Sequence, residues 1–395
     1  HWCHVMAHES FEDEDVAQLM NEKFVCIKLD REERPDLDEI YMTALSMMGE
    51  QGGWPLTMCL DAEAKPFWGG TYFPKLPQYG RPGFMQILEE ISRIWHETPE
   101  KIAKNTQTLT EGLRARAKAD ARGAMPDELP SRAAQTLTEH IDLQKGGLQG
   151  APKFPQPFLY QFLWQQAQLD ADAATSAAVI KTLEKICQGG IYDHIGGGFA
   201  RYSVDADWLV PHFEKMLYDN ALLVQLMIQV WRTSKSPLLA ARIEETIEWV
   251  LREMRLDNGA FAASLDADTE GEEGRFYVWS KAEIETLLRE SQMGGVFCQT
   301  YDITDTGNFE GHNIANLLAQ GEVVQDALAP ARQVLLAARD QRPKPGRDDK
   351  VLADWNAMMI SAITQAAMAF GRADWLQYSQ TAFAAARKSL TDPQG

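Results

Sequence analysis

The sequence contains no apolar run long enough to cross a lipid bilayer. The longest candidate, residues 221–231, is short and is interrupted by Gln225 and Gln229, which is typical of a buried helix. Basic residues are scarce relative to acidic ones, and the formal charge of the 395-residue chain is −19. Such a charge repels phosphate backbones and anionic lipid headgroups. The composition therefore argues against nucleic-acid and membrane partners, and a neutral or cationic small molecule fits better.

Cysteine is also rare. The five cysteines are scattered and odd in number, so they do not form the framework of a small disulfide-rich secreted protein. On this ground we expect a reducing, cytoplasmic location. The chain begins at His1 rather than at a methionine and stops at Gly395, so we expect it to be part of a longer protein, and the lack of a targeting segment carries little weight.

Residues 1 to about 110 alternate helical and strand patterns, which predicts a layered α/β domain. Residues 111–130, rich in Arg, Ala, Asp, Gly and Pro, predict a linker. Within the first domain the patterns predict helices over residues 4–21, 36–48 and 83 to about 108, and strands over residues 23–30, 55–61 and 66–73.

Beyond residue 131 the strand patterns almost vanish, and apolar helices follow one another with alternately short and long connections. This predicts an all-α toroid of helical hairpins over residues 131–395. An internal echo, in which residues 219–223 resemble residues 354–359, supports a recurring unit. The predicted helices cover approximately residues 131–144, 157–169, 172–187, 213–232, 237–255, 280–290, 322–339, 350–370 and 374–390.

Two of these helices share an unusual polarity gradient. Residues 211–220 and 348–356 carry many ionisable and amide groups, and each segment then continues as a helix that is apolar on nearly every face. A helix that is apolar all round is buried, so its polar beginning must be paired or must face water. We therefore predict that both helices begin at one water-filled cavity.

A Gly-rich loop over residues 189–203 leads into the first of these helices. Glycine allows backbone to approach a ligand closely, and aromatic rings beside carboxylates suit sugar recognition and acid–base chemistry. The acid–base candidates are Asp193, His212, Glu214, Asp219 and Asp354, and the residues expected to contact a ligand are His194, Arg201, Tyr202, Trp208, Tyr218, Asn220, Asp266, Asp268, Glu310, His312, Asp349 and Asn356.

Each of these residues also has a structural alternative. Asp219 and Asn220 could be hydrogen-bonded polar groups beneath the mouth of the toroid, and His212 could bond to a loop carboxylate. The acidic residues between 266 and 273 could form a solvated loop, which is the commonest fate of a run of charge. Residues 308–313 could be an ordinary turn.

The N-terminal residues carry a second candidate site. Cys3 lies beside histidine at the start of a predicted helix, where the thiolate form is favoured. Cys26 and Cys59 lie in apolar strand patterns and are predicted to be inert core residues. His1, Cys3, His4 and His8 could bind zinc, but a helix with solvent-facing histidines is the simpler interpretation, and we predict no metal and no cofactor.

Residues 1–6, 30–36 and 51–57 resemble the thioredoxin-like domain of the spermatogenesis-associated protein 20-like family. In that family the first motif is Cys-His-Trp-Cys-His, so the resemblance implies that Cys3 is the second, usually buried, cysteine of a redox pair. It also implies that Pro55 is the cis-proline that faces the pair. The first cysteine would precede His1, so redox chemistry is expected only of the longer parent protein.

The resemblance continues through residues 189–203, 264–279, 307–314 and 347–356, and so spans nearly the whole chain. The second domain of that family is similar to the six-hairpin (α/α) barrel of certain glycosidases and N-acylglucosamine 2-epimerase-type enzymes. The predicted helices are too few for a complete ring, so a partial barrel is expected. Carbohydrate chemistry is an inference from the barrel alone, because a fold does not determine a function.

Three functions remain open. The first is acid–base chemistry of the hydrolase or epimerase type on a sugar-like small molecule in the barrel. The second is thiol–disulfide exchange, or redox-linked binding of a protein partner, by the thioredoxin-like domain through Cys3 and Pro55. The third is a binding module without catalysis. We rank the carbohydrate hypothesis first, because its motifs lie within the chain.

Overall fold

The computed structural model describes residues 2–78, 80–118, 126–320 and 326–391, without the side chains of Trp2, His4 and Asp326. The chain divides into two compact units, His1–Ala124 and Met125–Gly395. None of the helices in the described ranges is both long and apolar enough to cross a membrane.

The first unit combines helices with a short antiparallel sheet. Helix spacing explains its core, because Phe84, Ile87, Leu88 and Ile91 recur on one helix face and are all buried. Its helices are α1 (Trp2–Met6, continued by one π-helical turn over Ala7–Phe11), α2 (Glu14–Lys23), α3 (Pro35–Met47), α4 (Phe84–Glu97) and α5 (Pro99–Ala117), and its strands β1 (Thr57–Leu60) and β2 (Pro66–Gly70) pair antiparallel.

The predicted strand over residues 23–30 is wrong. Lys23 ends α2, and residues 24–30 belong to no strand or helix, with Val25 92% and Ile27 79% exposed. A strand needs a neighbour for its backbone N–H and C=O groups. In the described part of this unit β1 pairs with β2 alone, so the segment has no such neighbour.

The predicted closing helix is two helices. Its break lies at Thr98, which has φ −138° and ψ 57° and precedes Pro99 at the start of α5. Proline disfavours helical backbone in the residue before it and cannot donate to a preceding turn, so a continuous helix cannot form here. Helix α5 then extends to Ala117, into the segment predicted as a linker.

The second unit is mainly helical, with very short strands between the helices. Its helices are α6 (Leu129–Glu139), α7 (Pro157–Leu169), α8 (Ala173–Gln188), α9 (Leu217–Ser234), α10 (Pro237–Trp249, continued by one π-helical turn over Val250–Met254), α11 (Lys281–Leu287), α12 (Gly294–Thr300), α13 (Ala329–Arg339), α14 (Ala353–Phe370) and α15 (Ala373–Leu390). Its strands are β3 (Tyr202–Ser203), β4 (Pro211–His212), β5 (Lys215–Met216), β6 (Ser264–Leu265), β7 (Asp268–Thr269), β8 (Glu272–Glu273) and β9 (Arg347–Asp348).

Helices joined by short turns pack as hairpins around one core. The pairs α7–α8, α9–α10 and α14–α15 have such connections, and α9 and α14 pack directly against each other. Leu223, Leu226 and Met227 of α9 and Met359 and Ile363 of α14 belong to the same buried cluster. The predicted fold class, an α/β unit followed by an all-α array of helical hairpins, is confirmed.

The two polar segments predicted to begin the inner helices are largely not helical. Helix α9 begins at Leu217 and α14 at Ala353, so His212, Glu214 and Asp348 precede the helices. These segments instead supply β5 and β9, the two outer strands of a three-stranded antiparallel sheet with β6 in the centre. The backbone ladder satisfies their N–H and C=O groups and stops the helices from starting earlier.

Candidate functional site

Two short strands bring the charged residues before α9 together. Strand β3 pairs antiparallel with β4, with Tyr202 opposite His212. The turn between them is held by Asp205, whose carboxylate accepts hydrogen bonds from the backbone N–H groups of Asp207 (2.6 Å), Leu209 (3.3 Å) and Val210 (2.6 Å). This Asx-type turn fixes the register that places Arg201 beside the segment of His212.

Arg201, His212, Glu214 and Glu273 form one connected cluster. Arg201 Nη1 donates to Glu214 Oε2 at 2.8 Å. His212 lies between two carboxylates, with Nδ1 2.7 Å from Glu273 Oε1 and Nε2 3.8 Å from Glu214 Oε2. The contact with Glu273 is the bond to a loop carboxylate that the structural alternative predicts for His212. All four side chains are partly exposed, so the cluster borders solvent.

Asp219 is the exceptional carboxyl group of the site. It lies in the first turn of α9 and is only 8% exposed. Within the described ranges, no donor forms a hydrogen bond to its buried Oδ2. Burial raises the pKa of Asp219 to about 7, and the charge of Glu214 acts in the same direction while Arg201 opposes both. A carboxyl group with this pKa can both donate and accept a proton near neutrality.

Aromatic rings flank these charges. The rings of Tyr218 and Trp355 are 4.6 Å apart, which brings the start of α14 beside the start of α9. Tyr202 lies between Phe154 and His212, with ring centroids 4.6 Å and 4.9 Å away, as a continuous stack. Aromatic rings beside carboxylates are the groups that can bind the apolar face and the hydroxyl groups of a sugar ring.

The acidic loop after β6 is a tight hairpin. Strands β7 and β8 place Asp268 opposite Glu273, and the turn between them needs a left-handed backbone at Glu270 (φ 55°) and Gly271 (φ 79°). Burial raises the pKa of Asp268, and the charges of Asp266 and Glu273 raise it further. The hairpin is therefore partly folded onto the site rather than a wholly solvated loop.

Asp193 does not join the acid–base set. Its carboxylate accepts from Lys215 Nζ at 2.9 Å and from Arg339 Nη1 at 2.9 Å, and all three side chains are almost completely buried. Burial opposes the ionisation of Asp193, but the charges of Arg339 and Lys215 outweigh it and hold its pKa well below the usual range. The prediction of an acid–base role is wrong for Asp193, because its charge is already neutralised inside a closed ion-pair network.

His194 is likewise closed off. It is buried, with Nε2 2.9 Å from the Gly189 carbonyl and Nδ1 3.2 Å from Arg242 Nη2. Burial lowers the pKa of His194 to about 3, and the charge of Arg242 adds to that effect. A buried neutral imidazole bonded to backbone holds the Gly-rich loop in place and cannot contact a ligand.

Three further predicted ligand contacts are structural. Trp208 is fully buried, and its Nε1 donates to the Lys145 carbonyl at 3.0 Å. Asn220 and Asn356 are also buried, and each amide is fully used by backbone groups of a preceding loop. The alternative of satisfied polar groups is therefore correct for these residues, because none has a free polar atom to offer.

The other predicted residues lie at the surface. Asp354 is exposed, and its Oδ1 accepts from the backbone N–H of Trp355. Asp349 is exposed and pairs with Arg347 at 2.5 Å. Glu310 and His312 are exposed in a separate turn, where His312 Nδ1 lies 3.4 Å from the Glu310 carbonyl. Their participation in one site with Asp219 stays a prediction.

Phe154, Glu273 and Trp355 were not predicted as site residues. Glu273 lies within a run of acidic residues, and nothing in its sequence environment distinguishes it from Glu270 or Glu272. Trp355 lies between two predicted residues, but its contact with Tyr218 depends on the packing of α9 against α14. Neither contact has a local sequence signal, because both join segments far apart in the chain.

In the first unit, Cys3 is exposed in α1, and the peptide bond between Trp54 and Pro55 is cis. Cys26 is exposed as well, so the prediction that it is a core residue is wrong. The reason is that the segment around Cys26 does not enter the sheet. Cys59 in β1 is half-buried, and burial raises the pKa of its thiol to about 12.

The zinc alternative rests partly on His1 and on the side chain of His4, which lie outside the described residues. Across the described ranges, no group of three or more His, Cys, Asp or Glu side chains could hold a metal ion.

The fold and site together define a thioredoxin-like α/β unit followed by a helical-hairpin unit with a solvent-facing cluster of charged residues. Residues 1–114 match the family model Thioredox_DsbH, which is described as a protein of unknown function, DUF255. The predicted resemblance to the spermatogenesis-associated protein 20-like family is confirmed. The chain is 34% identical to spermatogenesis-associated protein 20 of Homo sapiens over 96% of the chain and 54% of that protein. The Mus musculus protein is 35% identical over 93% of the chain and 52% of its own length.

The chain thus spans about half the length of the curated relatives it matches. Among solved structures, a sugar epimerase from a ruminal bacterium is 14% identical with a TM-score of 0.31, covering 67% of this chain and 88% of its own. The cellobiose 2-epimerase of Spirochaeta thermophila DSM 6192 is also 14% identical, with a TM-score of 0.27, covering 66% and 86%.

Proposed function

We propose that the second unit binds a carbohydrate-like small molecule and transforms it by acid–base chemistry of the hydrolase or epimerase type, with Asp219 as the proton-transferring group. The observation that carries the proposal is the state of Asp219, a carboxyl group more than nine-tenths buried with a pKa of about 7 and an unpartnered Oδ2. Leaving such an oxygen unsatisfied costs on the order of 1–3 kcal/mol, a cost that a substrate hydroxyl group would remove.

The neighbours of Asp219 have complementary roles in this proposal. Burial raises the pKa of Asp219, Arg201 opposes that rise and Glu214 adds to it, so the three effects together bring the pKa close to neutrality. Glu214 is itself ion-paired with Arg201 at 2.8 Å. A neutral acid beside an ionised carboxylate is the arrangement that general acid–base chemistry on a glycosidic or hydroxyl oxygen requires.

His212 supplies a second group for proton transfer. Its Nδ1 contacts Glu273 and its Nε2 faces Glu214, so the ring is held in one orientation between two carboxylates. The stack of Phe154, Tyr202 and His212 and the pair of Tyr218 and Trp355 provide faces on which a sugar ring could pack.

The test is a screen of free hexoses, N-acyl hexosamines, disaccharides and aryl glycosides by thermal shift, followed by NMR detection of turnover. For any sugar that is turned over, Asp219→Asn should lower the rate by about 100-fold or more while binding persists, because the amide keeps the shape but cannot exchange the proton. Asp257→Asn, which removes an exposed carboxylate of the same unit, is the matched control and should leave the rate unchanged.

Other outcomes separate the alternatives. Binding without turnover by the complete chain would favour the non-catalytic binding module. Turnover that is equally fast in Asp219→Asn would contradict the role of Asp219, and the absence of both binding and turnover would contradict the carbohydrate hypothesis.

A second candidate function is thiol–disulfide exchange by the thioredoxin-like unit. It is favoured by the exposure of Cys3 and by the match of residues 1–114 to a thioredoxin-like family model. Measurements of reduction potential and insulin reduction on the longer parent protein would test it, with Cys3→Ser as the variant. A parent that forms no disulfide at Cys3 would exclude exchange and leave the unit a structural or partner-binding role.

A further inference from the structure

The contact between Glu273 and His212 has a direction. Glu273 Oε1 lies 2.7 Å from His212 Nδ1. This contact lowers the pKa of Glu273; burial opposes the effect, and a hydrogen bond from the backbone N–H of Phe213 adds to it. Glu273 is therefore ionised near neutrality, and an ionised carboxylate can only accept hydrogen bonds. The proton between the two residues must lie on Nδ1 of His212.

The other ring nitrogen of His212 is in a different state. Nε2 lies 3.8 Å from Glu214 Oε2, which is too long for a hydrogen bond, and that oxygen already accepts from Arg201 Nη1 at 2.8 Å. Among the residues that the structure describes, none forms a hydrogen bond with Nε2. In the neutral ring with its proton on Nδ1, Nε2 carries a lone pair. This lone pair faces Glu214, the carboxylate whose charge acts on Asp219.

The stack with Tyr202 does not by itself orient the imidazole ring. The rings of Tyr202 and His212 are 4.9 Å apart with an angle of 22° between their planes, which fixes the plane of the imidazole. A half-turn about χ2 keeps that plane but exchanges the edge that carries Nδ1 with the edge that carries Cδ2. The hydrogen bond to Glu273 exists in only one of the two orientations. Glu273 therefore decides which edge of the ring faces the hairpin.

The backbone positions Glu273 for this contact. Gly274 follows Glu273 directly and has a φ of 76°, in the left-handed region that favours glycine. A Cβ atom at Gly274 would lie 2.3 Å from Cε2 of Phe213, the residue after His212. The neighbours of the two polar residues thus pack so closely that only glycine fits. This packing brings β8 against His212 and is an observation independent of the charges.

We propose that Glu273 is a positioning residue that fixes the tautomer of His212, so that Nδ1 carries the ring proton and Nε2 is the atom that accepts a proton from the substrate. This inference rests on the proposed function and specifies which nitrogen reacts and which residue selects it. In the step, the bond from the substrate to hydrogen breaks, an N–H bond forms at Nε2, and the electron pair stays on the substrate. Glu273 then stabilises the imidazolium without taking a proton itself.

Nitrogen-15 NMR of the imidazole ring tests the tautomer without any substrate. The pattern of long-range proton–nitrogen correlations shows which nitrogen carries the proton, and the spectrum of His212→Gln identifies the signals of His212. We expect the proton on Nδ1 in about 90% or more of the neutral rings, because a hydrogen bond to a charged acceptor favours that form by about 10-fold or more.

Variants of Glu273 should release this preference. Glu273→Gln keeps the shape, but its amide can donate as well as accept, so the ratio of the two tautomers should fall to about threefold or less. Glu273→Ala removes the acceptor and should do the same. Glu272→Gln is the matched control, because it removes an equal charge one position away, where Glu272 pairs with Arg275 at 3.3 Å. The control should keep the tautomer of the wild-type chain, and circular dichroism would verify that all three variants fold.

Kinetics provide a second measurement. For any sugar that is turned over, Glu273→Gln should lower kcat by about 10-fold or more and change KM by less than about twofold. The reason is that the ring of His212 then presents the wrong nitrogen for proton transfer, whereas the contacts that bind the sugar remain. Glu272→Gln should leave both constants unchanged.

The outcomes separate this inference from the proposed function. A wild-type chain with the ring proton of His212 on Nε2, or a proton that stays on Nδ1 in both Glu273→Gln and Glu273→Ala, would overturn the role of Glu273 and leave that of Asp219 intact. An equal loss of kcat in Glu272→Gln would also overturn it. Turnover unaffected by Asp219→Asn would contradict the proposed function, while the tautomer found by NMR would still support the assignment of Nδ1 and Nε2.

Discussion

Two helices of the second unit begin in the same way but carry different chemistry. In α9, the Asn220 amide accepts from the backbone N–H of Phe199 at 2.7 Å and donates to the carbonyls of Phe199 (3.0 Å) and Met216 (2.9 Å). In α14, Asn356 makes the same three bonds with Phe261 and Leu352, at 2.9 to 3.0 Å. Each asparagine is the fourth residue of its helix and fastens a preceding loop to the helix start.

We call the three hydrogen bonds of each asparagine side chain a clamp. The two helix starts differ in the residues around this clamp. When the two asparagines are superposed in register, Asp219 corresponds to Trp355, and the loop residue Arg201 corresponds to Ala263. The α14 copy thus lacks both the buried carboxyl group and the arginine that acts on it. The repeated residues build the fold, whereas the residues that depart from the repeat supply the charges of the candidate site.

The largest expected effect is the loss of a clamp. Asn220→Ala and Asn356→Ala should each lower the free energy of unfolding by about 3–5 kcal/mol, since each change removes three buried hydrogen bonds and leaves backbone groups unsatisfied. Chemical denaturation measures this. Asn258→Ala, which removes an exposed turn asparagine that accepts one bond from Ala260, should cost less than about 1 kcal/mol. A small effect in only one of the two clamps would show that they are not equivalent.

The next largest expected effect is on the pH dependence of stability, which should distinguish Asp219 in α9 from Asp354 in α14. The folded-state pKa of Asp219, about 7, lies above the ordinary aspartate value of 3.8. Its contribution to the free energy of unfolding is therefore fully present below about pH 4 and is lost as the pH rises through 7.

Asp219→Asn should abolish this dependence. The free energy of unfolding of the variant, relative to that of the wild-type chain, should therefore increase by roughly 2–4 kcal/mol between pH 4 and pH 8. Asp354→Asn removes the exposed carboxylate of α14 and should follow the wild-type pH dependence. Denaturation curves at a series of pH values measure both variants. If the difference in free energy of unfolding between the wild-type chain and Asp219→Asn did not change with pH, this would contradict a buried, protonated Asp219.

The smallest expected effect concerns Arg201, whose counterpart before α14 is Ala263. Arg201→Ala should raise the pKa of Asp219 further, by about one unit, because the charge that opposes burial is removed and Glu214 loses its partner. Carbon-13 NMR titration of the Asp219 carboxyl group measures the shift. Arg275→Ala, which removes an arginine paired with Glu270 and Glu272, is the control and should leave the titration unchanged. A pKa that falls in Arg201→Ala would contradict this electrostatic arrangement.

The sequence supports the fold prediction more fully than the site prediction, for physical reasons. Helical periodicity and short turns predicted most of the hairpins, and the helix predicted over residues 36–48 agrees with α3 to within one residue at each end. Asp219 could be singled out because a carboxylate at the start of an otherwise apolar helix must be either paired or useful. Pro99, by contrast, divides the predicted closing helix, although the apolar periodicity continues across it.

The errors at the site arise from contacts that join distant segments. Asp193 has the same local appearance as a catalytic carboxylate, and its neutralisation depends on Arg339, 146 positions away. Asn220 and Asn356 were correctly seen as a repeat, but whether an amide meets a ligand or a backbone loop depends on the fold. The strand over residues 23–30 failed for the related reason that an apolar pattern does not supply the neighbour that a strand needs.

Ala263, just before the central strand β6, connects the two helix starts. The backbone N–H of Leu217, at the start of α9, donates to the Ala263 carbonyl at 2.9 Å, and the backbone N–H of Ala263 donates to the Asp348 carbonyl at 2.9 Å, just before α14. Both helix starts are therefore anchored to one residue, and the acidic hairpin is the direct continuation of that strand. A displacement of the hairpin would therefore act, through Ala263, on the backbone at the start of α9, next to Asp219, and on the segment that leads into α14 and Trp355.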